Sequence, residues 1–246
     1  MEYMNALVEA IVISLEEISQ GIQGLLTISE SMERIIDALS LNRVPVVWNA
    51  LAYPSKRGLA SWLNNLLKRI EQLNQFKDEP TTIPKVAMIS RFFNPQSFLT
   101  AIKQVVGRSK EQELNKLYIC TEVTKKSVDD IETVGKDGAY VIGFILDGAR
   151  WDLALGQLEE ARPKEMYSVL PVVYCKALLI PTEGKEDKSL YQCPCYKTED
   201  RGSTYVFTAQ LKTRYSPRKW ILSGCSLILD VEGVGENLGA AKTEKK

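Results

Sequence analysis

The heptapeptide Leu117-Tyr118-Ile119-Cys120-Thr121-Glu122-Val123 is where the sequence changes its period. Leu117, Ile119, Thr121 and Val123 fall on one side of an extended segment, the two-residue repeat of a β-strand. Before it, apolar residues recur every three or four positions. After it, they recur at every second position or in short β-branched runs. Helices first and strands second give an α+β class: N-terminal amphipathic helices followed by a small, mainly antiparallel sheet forming a partial β-barrel.

Upstream, Leu7, Ile11, Leu15, Ile18, Ile22, Leu25 and Leu26 share one helical stripe, which Gly21 and Gly24 weaken at its far end. A shorter helix is predicted from Ser31 to Leu39, with Met32, Ile35, Ile36 and Leu39 on one face. Pro45 interrupts the pattern and Tyr53-Pro54-Ser55 makes a turn. The strongest helix follows, with Leu59, Trp62, Leu63, Leu66, Leu67, Ile70, Leu73 and Phe76 apolar and Asn64, Lys68, Arg69 and Glu71 polar. Pro80 ends it, because the residue before a proline is driven out of the helical region. A fourth helix opens on Asn94 as cap with Pro95 at the first position. Phe98, Leu99, Ile102, Val105 and Val106 face one way, and Gly107 is the expected stop.

Downstream, Ala139–Leu146, Leu170–Ile180, Thr204–Leu211 and Trp220–Asp230 read as further strands. Turn clusters at 135–138, 147–148, 181–189 and 199–203 separate them. No helix of crossover length lies between successive strands, so pairing is expected to be mainly antiparallel. The Gly- and Lys-rich stretch 232–246 is expected to fray.

The protein has 246 residues, 31 basic and 31 acidic, and no histidine. That excludes Ser-His-Asp and Cys-His catalysis and any histidine-ligated metal. Zero net charge argues against a nucleic-acid partner, whose affinity rests on phosphate neutralisation. Five cysteines, an odd number, fit thiols in a reducing compartment better than a disulfide framework. Cys193-Pro194-Cys195 is the one close pair, two ligands short of a zinc site, and buried thiols are the simpler reading. Glu2, Glu9, Glu16 and Glu17 interrupt the N-terminal apolar residues, so no secretory signal is expected. No apolar run approaches the roughly 18 residues of a membrane span. A soluble, intracellular protein without a membrane partner is expected.

Motifs for chemistry are weak. Gly233, Gly235 and Gly239 give G-x-G-x-x-x-G, one residue too long for a dinucleotide fingerprint and too near the end for a βαβ unit. No G-x-x-x-x-G-K-[ST] occurs. Asp129-Asp130 and Glu159-Glu160 sit in polar, turn-like stretches and read as solvated faces. Lys125, Lys126, Arg214, Arg218 and Lys219, near Tyr215 and Trp220, read as surface charge with acidic neighbours. In Asp147-Gly148-Ala149-Arg150-Trp151-Asp152 the structural reading has Trp151 anchoring a loop, while Arg150 and Asp152 satisfy backbone groups or one another.

Together these segments resemble a known family. Val44-Pro45-Val46-Val47-Trp48, Tyr53-Pro54-Ser55-Lys56 and Ser61-Trp62-Leu63 resemble the opening of the C-terminal region of dynein heavy chains. Phe92-Phe93-Asn94-Pro95-Gln96-Ser97-Phe98-Leu99-Thr100-Ala101 is similar to that family's F-F-x-P-Q-S-F-L-T-A signature. Val123–Lys126, Gly143–Asp152, Leu170–Val172, Cys193–Thr198 with Arg201-Gly202, and Trp220–Leu222 follow in the family's order, covering about residues 5–231. Asn94–Ala101 and Val123–Lys126 look axonemal, most like those of outer-arm dyneins. Gly58 stands where many relatives carry proline and Cys195 where valine or another apolar residue is usual, which leaves open which axonemal heavy chain this is.

The resemblance implies a piece of an ATP-driven, minus-end-directed microtubule motor of cilia or flagella. In such motors nucleotide and Mg sit in a ring of six AAA+ modules, and microtubules bind at a stalk tip. Both precede the region seen here, so the implied role is non-catalytic: bracing the ring and tuning motor output, with no catalytic, metal or cofactor residue in this piece. The implied partners are the AAA+ ring of the same polypeptide and, in the full complex, intermediate and light chains and microtubules. The residues that carry the family pattern, all expected to be structural, are Trp48, Pro54, Trp62, Phe93, Pro95, Gln96, Phe98, Gly148, Arg150, Trp151, Asp152, Pro194 and Trp220. Residues 1–40 are expected to join the preceding module, 41–115 to form a helical subdomain, 116–231 the partial barrel and 232–246 a tail. Met1 is expected to be an added start and Lys246 the natural C-terminus. Read from its residues alone, the partial barrel leaves a second possibility open: a stand-alone ligand- or peptide-binding module.

Overall fold

The computed structural model describes residues 2–78, 84–180 and 189–234, and the protein divides into two compact units, 1–79 and 80–246. The first unit is helical: α1 (Glu2–Ile22), α2 (Glu30–Ser40), α3 (Val46–Leu51) and α4 (Leu59–Asp78). At the start of α2 the Ser29 hydroxyl accepts from the Met32 amide, and the Met32 thioether accepts from the Ser29 amide. This is a capping box with sulfur in the place usually held by a carboxylate. Periodicity carries no sign of α3, because six residues are too few to show a stripe. Pro45, expected to interrupt, stands directly before its first residue, where a missing N–H leaves no helical bond unmade.

An aromatic stack ties three of these pieces together. The Trp48 and Trp62 rings lie 6.4 Å apart and nearly parallel, and Tyr53 also stacks on Trp62 at 6.1 Å. Trp48 Nε1 donates to Ser14 Oγ at 2.9 Å, fastening α3 to α1. Arg69 corrects the expected polar face of α4. It is 2% exposed, its guanidinium lies 3.4 Å from the Tyr53 ring centroid, and its Nε donates to Asn65 Oδ1 at 2.6 Å. A planar, weakly hydrated cation can be buried against an aromatic face in this way. Conversely Leu63 and Leu67, expected on the apolar stripe, are exposed.

The second unit contains β1 (Val86–Met88), α5 (Pro95–Ser109), β2 (Leu117–Val123), β3 (Gly138–Ile142), β4 (Ile145–Asp147), β5 (Arg150–Asp152), β6 (Gln157–Glu159) and β7 (Tyr167–Val169). It continues with β8 (Val173–Leu179), β9 (Leu190–Tyr196), β10 (Tyr205–Lys212), α6 (Pro217–Leu222) and β11 (Ser226–Ile228). One sheet has the order β1-β3-β8-β2, a second β10-β9-β11-β4-β7, and β5-β6 form a separate hairpin. Pairing is antiparallel except β1 with β3 and β9 with β11. The mixed α+β architecture with helices N-terminal is as expected. The small, mainly antiparallel sheet expected after the helices is divided into three, with no closed barrel among the described residues.

Four local expectations need correcting. The run Ala139–Leu146 is two strands, because Gly143 takes φ +96° and turns β3 and β4 into different sheets. Trp220 lies in α6 rather than in a strand, and β11 begins only at Ser226. Leu170 precedes β8, which starts at Val173. Gly107 does not stop α5, which runs to Ser109. A Cβ there would stand 3.0 Å from the Gln112 carbonyl oxygen and 3.3 Å from Leu117 Cδ1, so the glycine serves close approach.

The core of this unit lies between the two larger sheets and under α5. Leu99, Ile102 and Val106 of α5 join Val141 and Val173 of one sheet with Leu146, Leu211 and Leu227 of the other. Each of these residues contributes roughly 1.5–3 kcal/mol by leaving water. Pro80, most of the 181–189 turn and the tail from 235 lie outside the described residues.

Candidate functional site

The family-pattern residues fall into separate places. Trp48 and Trp62 form the buried stack of the first unit, while Pro54, in the turn before α4, is exposed. Phe93 is half-buried; Phe98 stacks on Phe92 at 4.5 Å; Pro95 is buried at the start of α5 and Gln96 is exposed. Asn94 Oδ1 accepts weakly from the Ser97 amide at 3.4 Å, the cap read from the sequence.

Around β4–β6, Gly148 takes φ +74°, and a Cβ there would meet the Ser223 carbonyl oxygen at 2.8 Å. Trp151 is buried in the core cluster. Asp152 Oδ1 accepts from the Ala154 and Leu155 amides at 2.8 and 2.9 Å, and Oδ2 lies 3.7 Å from Arg150. The Leu155 amide above all holds this carboxyl below the usual range. Asp147 pairs with Arg201 at 2.6 Å.

Trp220 donates from Nε1 to Thr213 Oγ1 at 2.7 Å and meets Tyr215 edge-on. Lys219 sits 3.6 Å from the Tyr215 ring centroid and pairs with Glu160, while Arg214 pairs with Glu159 at 3.1 Å. Arg214 and Lys219 of the basic stretch are thus paired with Glu159 and Glu160. Pro194 opposes Thr208 across β9 and β10. The Thr213 amide donates to Ser189 in the same register, so by alternation 194 and 208 are a non-hydrogen-bonded pair, and the missing N–H leaves the β9–β10 ladder intact.

The thiols are set for packing. Cys175, Cys193, Cys195 and Cys225 are buried, and desolvation pushes Cys175 up to about 12 and raises Cys193 and Cys195 well above the ordinary thiol range. No group of three or more potential metal ligands occurs among the described residues. No described helix is long and apolar enough to cross a membrane.

Two surfaces among the described residues combine concavity with apolar walls. In the first unit an apolar groove of about 520 Å³ runs between α1 and α4, lined by Met4, Val8, Val12, Ile13, Ile70 and Leu73. Of the twenty-six large apolar residues exposed among those described, fourteen lie in 2–78, including Val12, Ile13, Leu15 and Leu67. In the second unit a cleft of about 460 Å³ opens between β2 and β10, with Trp151 and Leu155 among its walls and Lys125, Lys176 and Lys212 at its sides. Lys176 donates to Glu122 at 2.8 Å, and that bond holds the Glu122 carboxyl below its usual range. No local pattern in the sequence marks this cleft: the Thr121–Gln210 bonds that hold its walls span 89 positions.

The sequence profile of the C-terminal domain of dynein heavy chains matches residues 1–229. The protein is 46% identical over 230 residues to a dynein beta chain of the flagellar outer arm from Chlamydomonas reinhardtii. It is 44% identical over 230 residues to mouse dynein axonemal heavy chain 17, and 42% over 230 to a ciliary dynein beta chain from Tripneustes gratilla. These alignments cover 94% of the sequence described here but 5% of each relative's length. A collinear match over nearly its whole length, carrying the tryptophan stack and the Phe92–Ala101 signature, leaves one conclusion: the chain belongs to the family of C-terminal domains of dynein heavy chains.

Proposed function

We propose that the protein is the non-catalytic C-terminal domain of an axonemal dynein heavy chain, working in a cilium or flagellum. Its helical unit docks on the AAA+ ring of the same polypeptide and limits relative motion of neighbouring modules, so that it tunes motor output. ATP and Mg belong to the ring, and no residue of this domain takes part in hydrolysis. Intermediate and light chains and microtubules are partners of the whole assembly.

The observation that carries this reading is the unfinished surface of the helical unit. Val12, Ile13 and Leu15 share α1 with the buried Leu7 and Ile18, so this helix is apolar on more than one face. A surface helix normally buries one stripe and leaves the rest polar. Contiguous exposed apolar area of this kind marks a contact that the domain does not satisfy by itself. The groove between α1 and α4 adds concave apolar surface to the same unit.

The test is motility and ATPase of the full heavy chain with and without this domain, and with Val12→Glu/Leu15→Glu. Deletion and double substitution should alter microtubule gliding velocity in the same direction while leaving nucleotide binding in the ring intact. ATP hydrolysis by the isolated domain, or unchanged motility after deletion, would contradict the assignment.

A further inference from the structure

We infer that the cleft between β2 and β10 is a binding site for the carboxylate-bearing end of an extended peptide. β2 is the edge strand of one sheet and β10 the edge strand of the other. Two such edges normally present rows of unpaired amides and carbonyls. Here they face each other without forming a ladder. They are joined by one side-chain clasp: Thr121 N–H donates to Gln210 Oε1 (3.0 Å), Thr121 Oγ1 donates to the Gln210 carbonyl (3.0 Å), and Gln210 N–H reaches Thr121 Oγ1 (2.7 Å).

Beyond this clasp the edges part. The Thr124 amide donates to Val172, so alternation along β2 turns the main-chain groups of Val123 away from β8, as it does those of Thr121. The Thr213 amide donates to Ser189, which by the same rule turns the main-chain groups of Lys212 away from β9. Val123 therefore offers one donor and one acceptor, and Lys212 its amide, to anything extended that enters between them, the Lys212 carbonyl being engaged by the parallel bridge of Leu158 with Thr213.

The charges around the opening select the ligand. Lys125, Lys176 and Lys212 stand against one carboxylate, Glu122, which Lys176 already holds. Lys125 donates to the Ala154 carbonyl at 2.9 Å and so strengthens the roof over the cleft. The Lys212 ammonium makes no direct ion pair or hydrogen bond among the described residues; its charge is felt by Glu122, which Lys176 holds, and its donors are left to meet an anion. Trp151, Leu155 and Leu190 give the cleft an apolar side. A volume of about 460 Å³ lies in the roughly 300–1,000 Å³ range of specific ligand sites and suits two or three residues rather than a long segment. An anionic group at the Lys212 ammonium, main-chain pairing to Val123 and to the Lys212 amide, and one apolar side chain toward Trp151 satisfy all of these features together.

Fluorescence anisotropy of the whole protein with a dye-labelled octapeptide of alternating valine and glutamate, free at its C-terminus, tests the site. Saturable binding is expected, weakened about tenfold or more by Lys212→Glu. Val123→Pro, which deletes an amide outside the β2–β8 ladder, should weaken it as well, with thermal melts confirming that both variants fold. Amidating the C-terminus separates the two carboxylate sources: lost binding assigns the terminal carboxylate, retained binding the glutamate side chain, and either supports the site. Equal binding by an amidated valine–glutamine peptide, equal binding by a single-stranded oligonucleotide of the same charge, or indifference to Lys212→Glu would overturn it.

Discussion

The helical unit and the β-rich unit use apolar residues in opposite ways. In 80–246 the strands and α5 close around one large cluster and two smaller ones, with Leu146, Leu211 and Leu227 almost wholly removed from water. In 1–79 the interior is an aromatic stack with a few buried aliphatic residues such as Leu7 and Leu66, while Val12, Ile13, Leu15 and Leu67 face outward. The β-rich unit is stabilised by its own packing. The helical unit leaves part of its apolar surface uncovered, and the proposed ring contact rests on that contrast.

The contrast is sharpest in large-to-small substitutions. Leu146→Ala should cost about 2–5 kcal/mol in urea unfolding, as deletions in packed cores do. Leu67→Ala, on an exposed helix face, should stay within about 0.5 kcal/mol in the isolated domain. Comparable losses at the two positions would break the comparison.

Gly138→Ala probes how closely the β-rich unit is packed. A Cβ there would stand 2.1 Å from the Cys175 carbonyl oxygen and 2.7 Å from Lys176 Cα, so β3 must move away from β8. A loss of about 1–3 kcal/mol or more is expected, read as a lowered melting temperature. Arg69→Lys is the matching test of the helical unit. A lysine keeps the charge but loses the flat contact with Tyr53 and the fork that reaches Asn65, for about 1–2 kcal/mol.

Much of this is legible in the sequence, and the exceptions have physical causes. The helices α1, α2, α4 and α5 show themselves by long stripes, and β2 by strict alternation over the same seven residues that form it. α3 and α6 have six residues each and are invisible to any periodic reading. β9 is hidden because Cys193-Pro194-Cys195 poses a question about metal and because proline argues against a central strand. Its place opposite Thr208, where the β10 ladder needs no bond from it, is a tertiary fact. The burial of Arg69 and the exposure of Leu63 and Leu67 depend on which neighbours α4 meets, which its own period does not encode. The family-pattern residues are marked by resemblance, whereas the β2–β10 cleft joins distant stretches of sequence and leaves no local mark.

Smaller effects concern the thiols and pH. Cys120 is half-buried, and the other four thiols are fully so; iodoacetamide should label Cys120 first, with the remainder reacting only as the protein unfolds. All of this proceeds slowly at neutral pH, because burial raises the Cys120 thiol as well. With no imidazole to titrate, stability should be level from about pH 6 to 8. The Glu122 carboxyl is depressed in the folded state by Lys176. Its contribution is therefore present above the ordinary carboxylate pKa and fades as pH falls through the folded value, a loss that Glu122→Gln should reduce in acid unfolding curves.

The most direct test of the division of labour is amide hydrogen exchange on this domain alone and within the full heavy chain. If the helical unit completes its surface on the ring, amides of α1 and α4 gain protection in the full-length protein while those of β3, β8 and β9 exchange alike in both. Equal exchange in α1 and α4 in the two settings, or new protection confined to the β-rich unit, would contradict it.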